Sequence, residues 1–308
     1  MEVMSVAVWC GVAVPVVMMV YGWRIFNWVW VRPKRMEKSL REQGLTGSPY
    51  RFLFGDMKEM VQMGSQAILK PIKLTDSIIP RVMPFYYTAA NTYGSMFFTW
   101  MGPLPMVHIT DPPLIREILA NYNQFQKQKI DNPLSKLLAK GIVVTEADQW
   151  VKHRKIINLA FHVEKLKINM IFHEVLRLYP PGIGIGRTIH EETKIGNLTL
   201  PSGSHVMMHM MLLHYDANIW GDDVNEFNPQ RFAEGVANAT KEQASYFPFG
   251  GGARIYVGQA FATLEARLAL VMILRRFSFE ISPSYSHAPH TILTLQPQFG
   301  ARLILSEL

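Results

Sequence analysis

The feature that most constrains this chain is a stretch of twenty-one residues without a charge, VMSVAVWCGVAVPVVMMVYGW at 3–23. At about 1.5 Å rise per residue, roughly twenty apolar residues cross a bilayer core. Pro15 in its middle is better tolerated in a membrane helix than in a soluble one. Basic residues follow at once, Arg24, Arg32, Lys34, Arg35, Lys38 and Arg41, with Trp23, Trp28 and Trp30 at the boundary. That asymmetry predicts a single-pass anchor at 3–23, a basic linker with an amphipathic helix at 24–48, and a domain at 49–308 on the cytosolic side. A cleaved signal peptide fits less well, because the positive charge comes after the apolar run.

The net charge of +7 is spread along the chain, apart from this cluster, which suits a membrane surface rather than nucleic acid. Cys10, inside the apolar run, is the one cysteine of the sequence, so an internal disulfide and a Cys-x-x-Cys metal site are both excluded.

The rest reads as mainly helical with small β-sheets. SMFFTWMG and MVHIT form a hairpin, and Asp111-Pro-Pro starts a helix. INMIFHEVLRLYPP is a helix stopped by Pro180-Pro181, and KIGNLTLPSGSHVMMHMMLLHYD reads as strands around a Pro-Ser-Gly turn. FSFEIS and TILTLQPQ are strand-like. Glu174 and Arg177 share one helical face at i, i+3. Arg231, between Phe227 and Phe232, needs a carboxylate, and Glu174 is a candidate. Trp150 and Arg154 are i, i+4 neighbours able to offer N–H groups to one anion. FPFGGGARIYVGQAF at 247–261 is a glycine-rich loop running into a helix at Gly258. It lacks the Gly-Lys-Ser/Thr ending of a phosphate loop.

Together these pieces resemble cytochrome P450. EVLR is similar to the family's E-x-x-R pair, FNPQRF to its P-E-R-F-type segment, and WVKHR to its W-x-x-x-R helix. FGGGARIYVG matches F-x-x-G-x-R-x-C-x-G except that Tyr256 stands where the family has cysteine. WVRPKRMEKSLREQGLTGSPYRFLFGD and YSHAPHTILTLQPQFG look like the plant clan that includes secologanin synthase. The resemblance implies an α+β cytochrome P450 fold. It implies haem, its propionates held by Trp150, Arg154, Arg187 and Arg254, with Phe249 beside the axial position. It implies an ion network of Glu174, Arg177 and Arg231. It implies anchorage in the endoplasmic reticulum membrane facing the cytosol. It further implies electrons from an NADPH-dependent reductase and hydroxylation of an apolar substrate such as a terpenoid or hormone.

Two departures bear on that chemistry. The thiolate that favours O–O cleavage has no counterpart at Tyr256, the position of the iron ligand. Only 19 residues separate Arg154 from Glu174, where the family places a central helical block with an acid-alcohol pair. The expected junction lies near Lys167-Ile168. Three readings stay open: a monooxygenase relative inactive as written, a haem protein with altered ligation, and a non-catalytic membrane-bound interaction protein.

Overall fold

The computed structural model describes residues 16–121, 124–126, 168–240 and 245–308. Residues 16–26 are helical and exposed, pass through a π-helical turn at Asn27–Val31, and continue into α1 (Arg32–Glu42). Pro33 explains the irregular turn. It has no N–H to give the carbonyl of Val29 four residues back, and that carbonyl instead accepts the Tyr50 hydroxyl. The amphipathic helix expected within 24–48 is thus the segment Arg32–Glu42. Of the run 3–23 only 16–23 are described, and among the described residues no helix is long and apolar enough to cross a membrane.

After β1 (Thr46–Gly47) come α2 (Met57–Ala67), α3 (Ile79–Val82) and α4 (Pro84–Tyr93). β2 (Met96–Met101) and β3 (Leu104–Ile109) pair antiparallel, with Phe98 opposite Val107. α5 (Pro112–Ala120) is capped by the Asp111 carboxylate, which accepts the Leu114 N–H. β4 (Phe125–Gln126), α6 (Ile168–Leu178), β5 (Ile185–Ile189), β6 (Thr193–Ile195), β7 (Leu198–Leu200) and β8 (His205–Met208) follow. The main sheet has six strands in the order β1-β2-β3-β8-β5-β4, parallel at β1/β2 and β3/β8. Phe97, Phe98 and Trp100 are buried along β2, so the centre of this sheet is covered on both faces.

Two strand expectations fail. MMLLH is not strand but α7 (Met210–His214), followed by α8 (Ala217–Trp220). Four of its five residues are buried, and an unbroken apolar run carries no periodicity to separate strand from helix. TILTLQPQ is not one strand either. It contributes to a tight hairpin of β10 (Pro289–Thr291) and β11 (Leu295–Pro297).

The C-terminal part also holds α9 (Gln259–Leu274) and a separate hairpin, β9 (Phe277–Ile281) with β12 (Leu303–Glu307). α9 is mostly apolar, interrupted by Glu265 and Arg267, yet Thr263 is its one buried residue. Phe261, Leu268 and Met272 are exposed, as are Phe279, Ile281, Leu303 and Leu305 on one face of the hairpin.

Candidate functional site

α6 and the segment after α8 build the most deeply buried charge cluster described. Arg177 Nε donates to Glu174 Oε2 at 2.8 Å and Nη2 to Oε1 at 2.7 Å, with both side chains inaccessible. Helical spacing alone sets this pairing. Arg177 spends its remaining donors on the carbonyls of His214 (2.9 Å), Val224 (2.7 Å) and Glu226 (3.2 Å). Glu174 Oε1 also accepts the Asn228 N–H at 3.0 Å. Arg231, on the 3-10 turn Pro229–Phe232, has Nε 3.5 Å from Glu174 Oε1. Its closer partner is Asp223, whose Oδ2 lies 2.5 Å from Nη2. Sequence reading missed Asp223; an acid eight residues before the arginine gives no periodic signal. Hydrogen bonds from Asn228 and Arg231 hold the Asp223 carboxyl below the usual carboxylate range.

The glycine loop rests on α5. Gly252 has φ +65°, and a Cβ there would fall 2.2 Å from the Leu119 carbonyl oxygen, so neither the backbone shape nor the space admits a side chain. A 3-10 turn at Gly252–Arg254 follows, then Tyr256, whose N–H donates to the Phe249 carbonyl at 2.9 Å. Gly258 caps α9. The Phe249 and Tyr256 rings stack with centroids 6.1 Å apart and planes within 12°. Tyr256 also covers Gly258: a Cβ there would meet its Cζ and hydroxyl oxygen at 2.8 Å. Tyr256 is 52% exposed. β5 adjoins the loop, since Ile185 Cδ1 lies 3.5 Å from where a Gly250 Cβ would stand. Arg187, on β5, is buried and donates to the Gly186 carbonyl at 2.9 Å. Trp150 and Arg154 lie outside the described residues.

These residues do not fit the haem that the resemblance implies, if that haem is to be held by a thiolate. The single cysteine, Cys10, lies in the apolar N-terminal run outside the described residues, and the phenol at the ligand position is folded onto Phe249 and Gly258. Among the described residues no group of three or more His, Cys, Asp or Glu could hold a metal ion.

A buried histidine chain escaped sequence reading. Thr99 Oγ1 lies 2.7 Å from His108 Nε2, and His108 Nδ1 lies 2.7 Å from His209 Nε2. The two imidazoles stack at 4.9 Å, flanked by Phe97 and Tyr86. Burial pushes His209 down to about 3 and His108 well below the usual range, so both rings are neutral.

The family model described as Cytochrome P450 matches residues 82–172 and 165–301. Cytochrome P450 CYP72A219 of Panax ginseng is 33% identical over 504 aligned positions, covering 95% of this chain and 97% of that protein. Secologanin synthase 1 of Catharanthus roseus is 29% identical, covering 94% and 96%. 7-Deoxyloganic acid hydroxylase of the same plant is 30% identical, covering 93% and 96%. A family match over most of the chain, and a 33% identical relative aligned along nearly all of it, place the protein by descent: it belongs to the cytochrome P450 family.

Proposed function

We propose that this chain descends from a haem-thiolate monooxygenase acting on apolar small molecules, and that as written it does not carry out thiolate-dependent oxygen chemistry. The observation that carries this is Tyr256, stacked on Phe249 at the ligand position of an otherwise intact loop. A phenol ionises near 10 in water and reaches several ångströms further than a thiol. A loop shaped for sulfur therefore cannot present it to iron without moving.

The reading also takes a central block to be missing from this chain, and the comparisons lend it support. The 504 positions aligned with the Panax ginseng protein exceed the 308 residues of this chain by 196, so at least that many have no counterpart here. The two family-model segments overlap at 165–172, which supports a junction near Lys167-Ile168. The named activities of the relatives, secologanin synthase and 7-deoxyloganic acid hydroxylase, suggest a terpenoid-type substrate for the ancestor. We take residues 3–23 as an endoplasmic reticulum anchor with the domain in the cytosol, where a reductase would meet it. Trp150, Arg154, Arg187 and Arg254 are the remnant of a propionate site in this reading.

The decisive measurement is the absorption spectrum of the purified full chain reconstituted with haem, oxidised and then reduced under carbon monoxide. The proposal expects no band of thiolate-ligated haem. A Soret band that disappears in Tyr256→Phe would replace it with the tyrosinate-ligated haem protein. A non-catalytic interaction protein remains the second reading, favoured by the exposed apolar side chains of α9 and of the β9/β12 hairpin. Co-purification with a reductase, lost on charge reversal of surface arginines, tests it.

A further inference from the structure

The loop between β1 and α2 turns three large apolar side chains outward. Phe52, Leu53 and Phe54 are 59%, 41% and 48% exposed. Leu53 has φ +64°, and among the described residues it is the one non-glycine residue in the left-handed region. A leucine rarely adopts that conformation, so its surroundings must hold it. Tyr50 does so from one side. Its buried hydroxyl donates to the Val29 carbonyl and accepts the Leu53 N–H at 3.2 Å. On the other side the Asp56 N–H donates to the Trp100 carbonyl at 2.9 Å, and the Asp56 carboxylate accepts the Trp100 N–H at 2.8 Å. The three side chains therefore stand on a turn fixed at both ends.

This turn sits where the N-terminal helix meets the domain. The Phe52 ring lies 5.8 Å from that of Trp30. Trp23, Ile25, Phe26 and Trp28, on the helix that continues the apolar run 3–23, are exposed as well. Beyond the turn, Met57 and Val61 are exposed at i, i+4 on α2. Cations stand among the rings: Lys34 Nζ is 5.7 Å from the Trp30 ring and Lys58 Nζ is 4.5 Å from the Phe54 ring. Residues 24–59 carry eight lysines and arginines against four acids, and two of those acids, Glu37 and Asp56, are buried. A contiguous exposed apolar patch marks a docking surface. Aromatic rings interleaved with lysines suit the boundary between lipid headgroups and acyl chains, and the excess of positive charge suits anionic lipid. Position points the same way. From Trp23, the last residue of the apolar run, to Trp30 is about 10 Å of helix at 1.5 Å per residue.

We propose that Phe52, Leu53 and Phe54 form a wedge that enters the headgroup–acyl boundary of an anionic bilayer, with Met57 and Val61 beside it and Lys58 at the lipid phosphates. The proposal rests on reading residues 3–23 as an anchor, and it fixes which face of the domain lies on the membrane. The test uses the full chain with Cys10→Ser, reconstituted in phosphatidylcholine–phosphatidylserine vesicles. One environment-sensitive fluorophore is placed on Phe54→Cys or on Leu268→Cys, the latter an equally exposed apolar position on α9. Lipids brominated on their acyl chains are the quencher, and flotation of the same vesicles reports the anchor. Quenching at 54 is expected to be severalfold stronger than at 268, and to fall severalfold when Phe52→Ser and Leu53→Gly are added. Glycine takes the φ of Leu53 without strain, so that variant keeps the turn. A chain that floats but shows equal quenching at the two positions, or none at 54, would overturn the wedge and leave the anchor standing. Quenching at 54 that survives the loss of both neighbours would also overturn it. A chain that does not float overturns the anchor reading and the wedge with it.

Discussion

Glu174 and Arg177 form a two-point ion pair, at 2.7 and 2.8 Å, with neither side chain reached by solvent. Removing one partner of such a pair strands a buried charge. Glu174→Gln is therefore expected to destabilise the chain by about 3–5 kcal/mol. Asp223 is partly exposed, and Asp223→Asn should cost about 1 kcal/mol or less even though it is the closer partner of Arg231. Urea unfolding midpoints of the two variants check the difference.

The contact between Tyr256 and Gly258 is testable by a double-mutant cycle. Gly258 has φ −84°, so alanine meets no backbone strain there. The obstacle is the tyrosine ring 2.8 Å from the new methyl. Gly258→Ala should cost about 1 kcal/mol, and that cost should vanish when Tyr256 is also alanine. An equal cost in both backgrounds would show that the ring does not occupy this position.

Buried histidines give the fold a defined acid sensitivity. Desolvation lowers His209 and His214 to about 3 and His173 to about 4, with Arg177 and Arg267 adding to the effect on the latter two. In the unfolded chain each titrates near 6.5. The unfolded state therefore takes up these protons first. The stability contributed by the neutral rings is complete above pH 6.5 and declines as pH falls toward 3–4. The limiting slope is about 1.4 kcal/mol per pH unit for each histidine. His209→Asn should reduce the slope between pH 6.5 and 4 by about one proton, read from denaturant unfolding across that range.

The exposed apolar side chains of α9 separate solubility from stability. Leu268→Lys and Met272→Lys replace solvent-facing groups and should change unfolding free energy by less than about 0.5 kcal/mol while lowering aggregation. Leu213→Ala, in the buried core, should cost about 2–5 kcal/mol. Light scattering and thermal melts distinguish the two effects.

The sequence by itself determined the family and the absence of a thiol at the ligand position, because both are facts of covalent order. It also determined local geometry that depends on a few adjacent residues. The Glu174–Arg177 pair follows from helix periodicity, the Asp111 cap from the first turn of α5, and the β2/β3 pairing from two apolar runs around a short turn. Tertiary structure decided everything that joins distant segments. His108 meets His209 across 101 residues, and Asp56 takes the Trp100 N–H across 44. Arg231 finds Asp223 nearer than Glu174. The apolar run at Met210–His214 becomes a helix because its neighbours bury it, and the face that α9 leaves bare is set by what does not pack on it. Backbone periodicity reaches about one helical turn along the chain. Burial, and the hydrogen bonds that burial makes obligatory, follow from which surfaces meet in space.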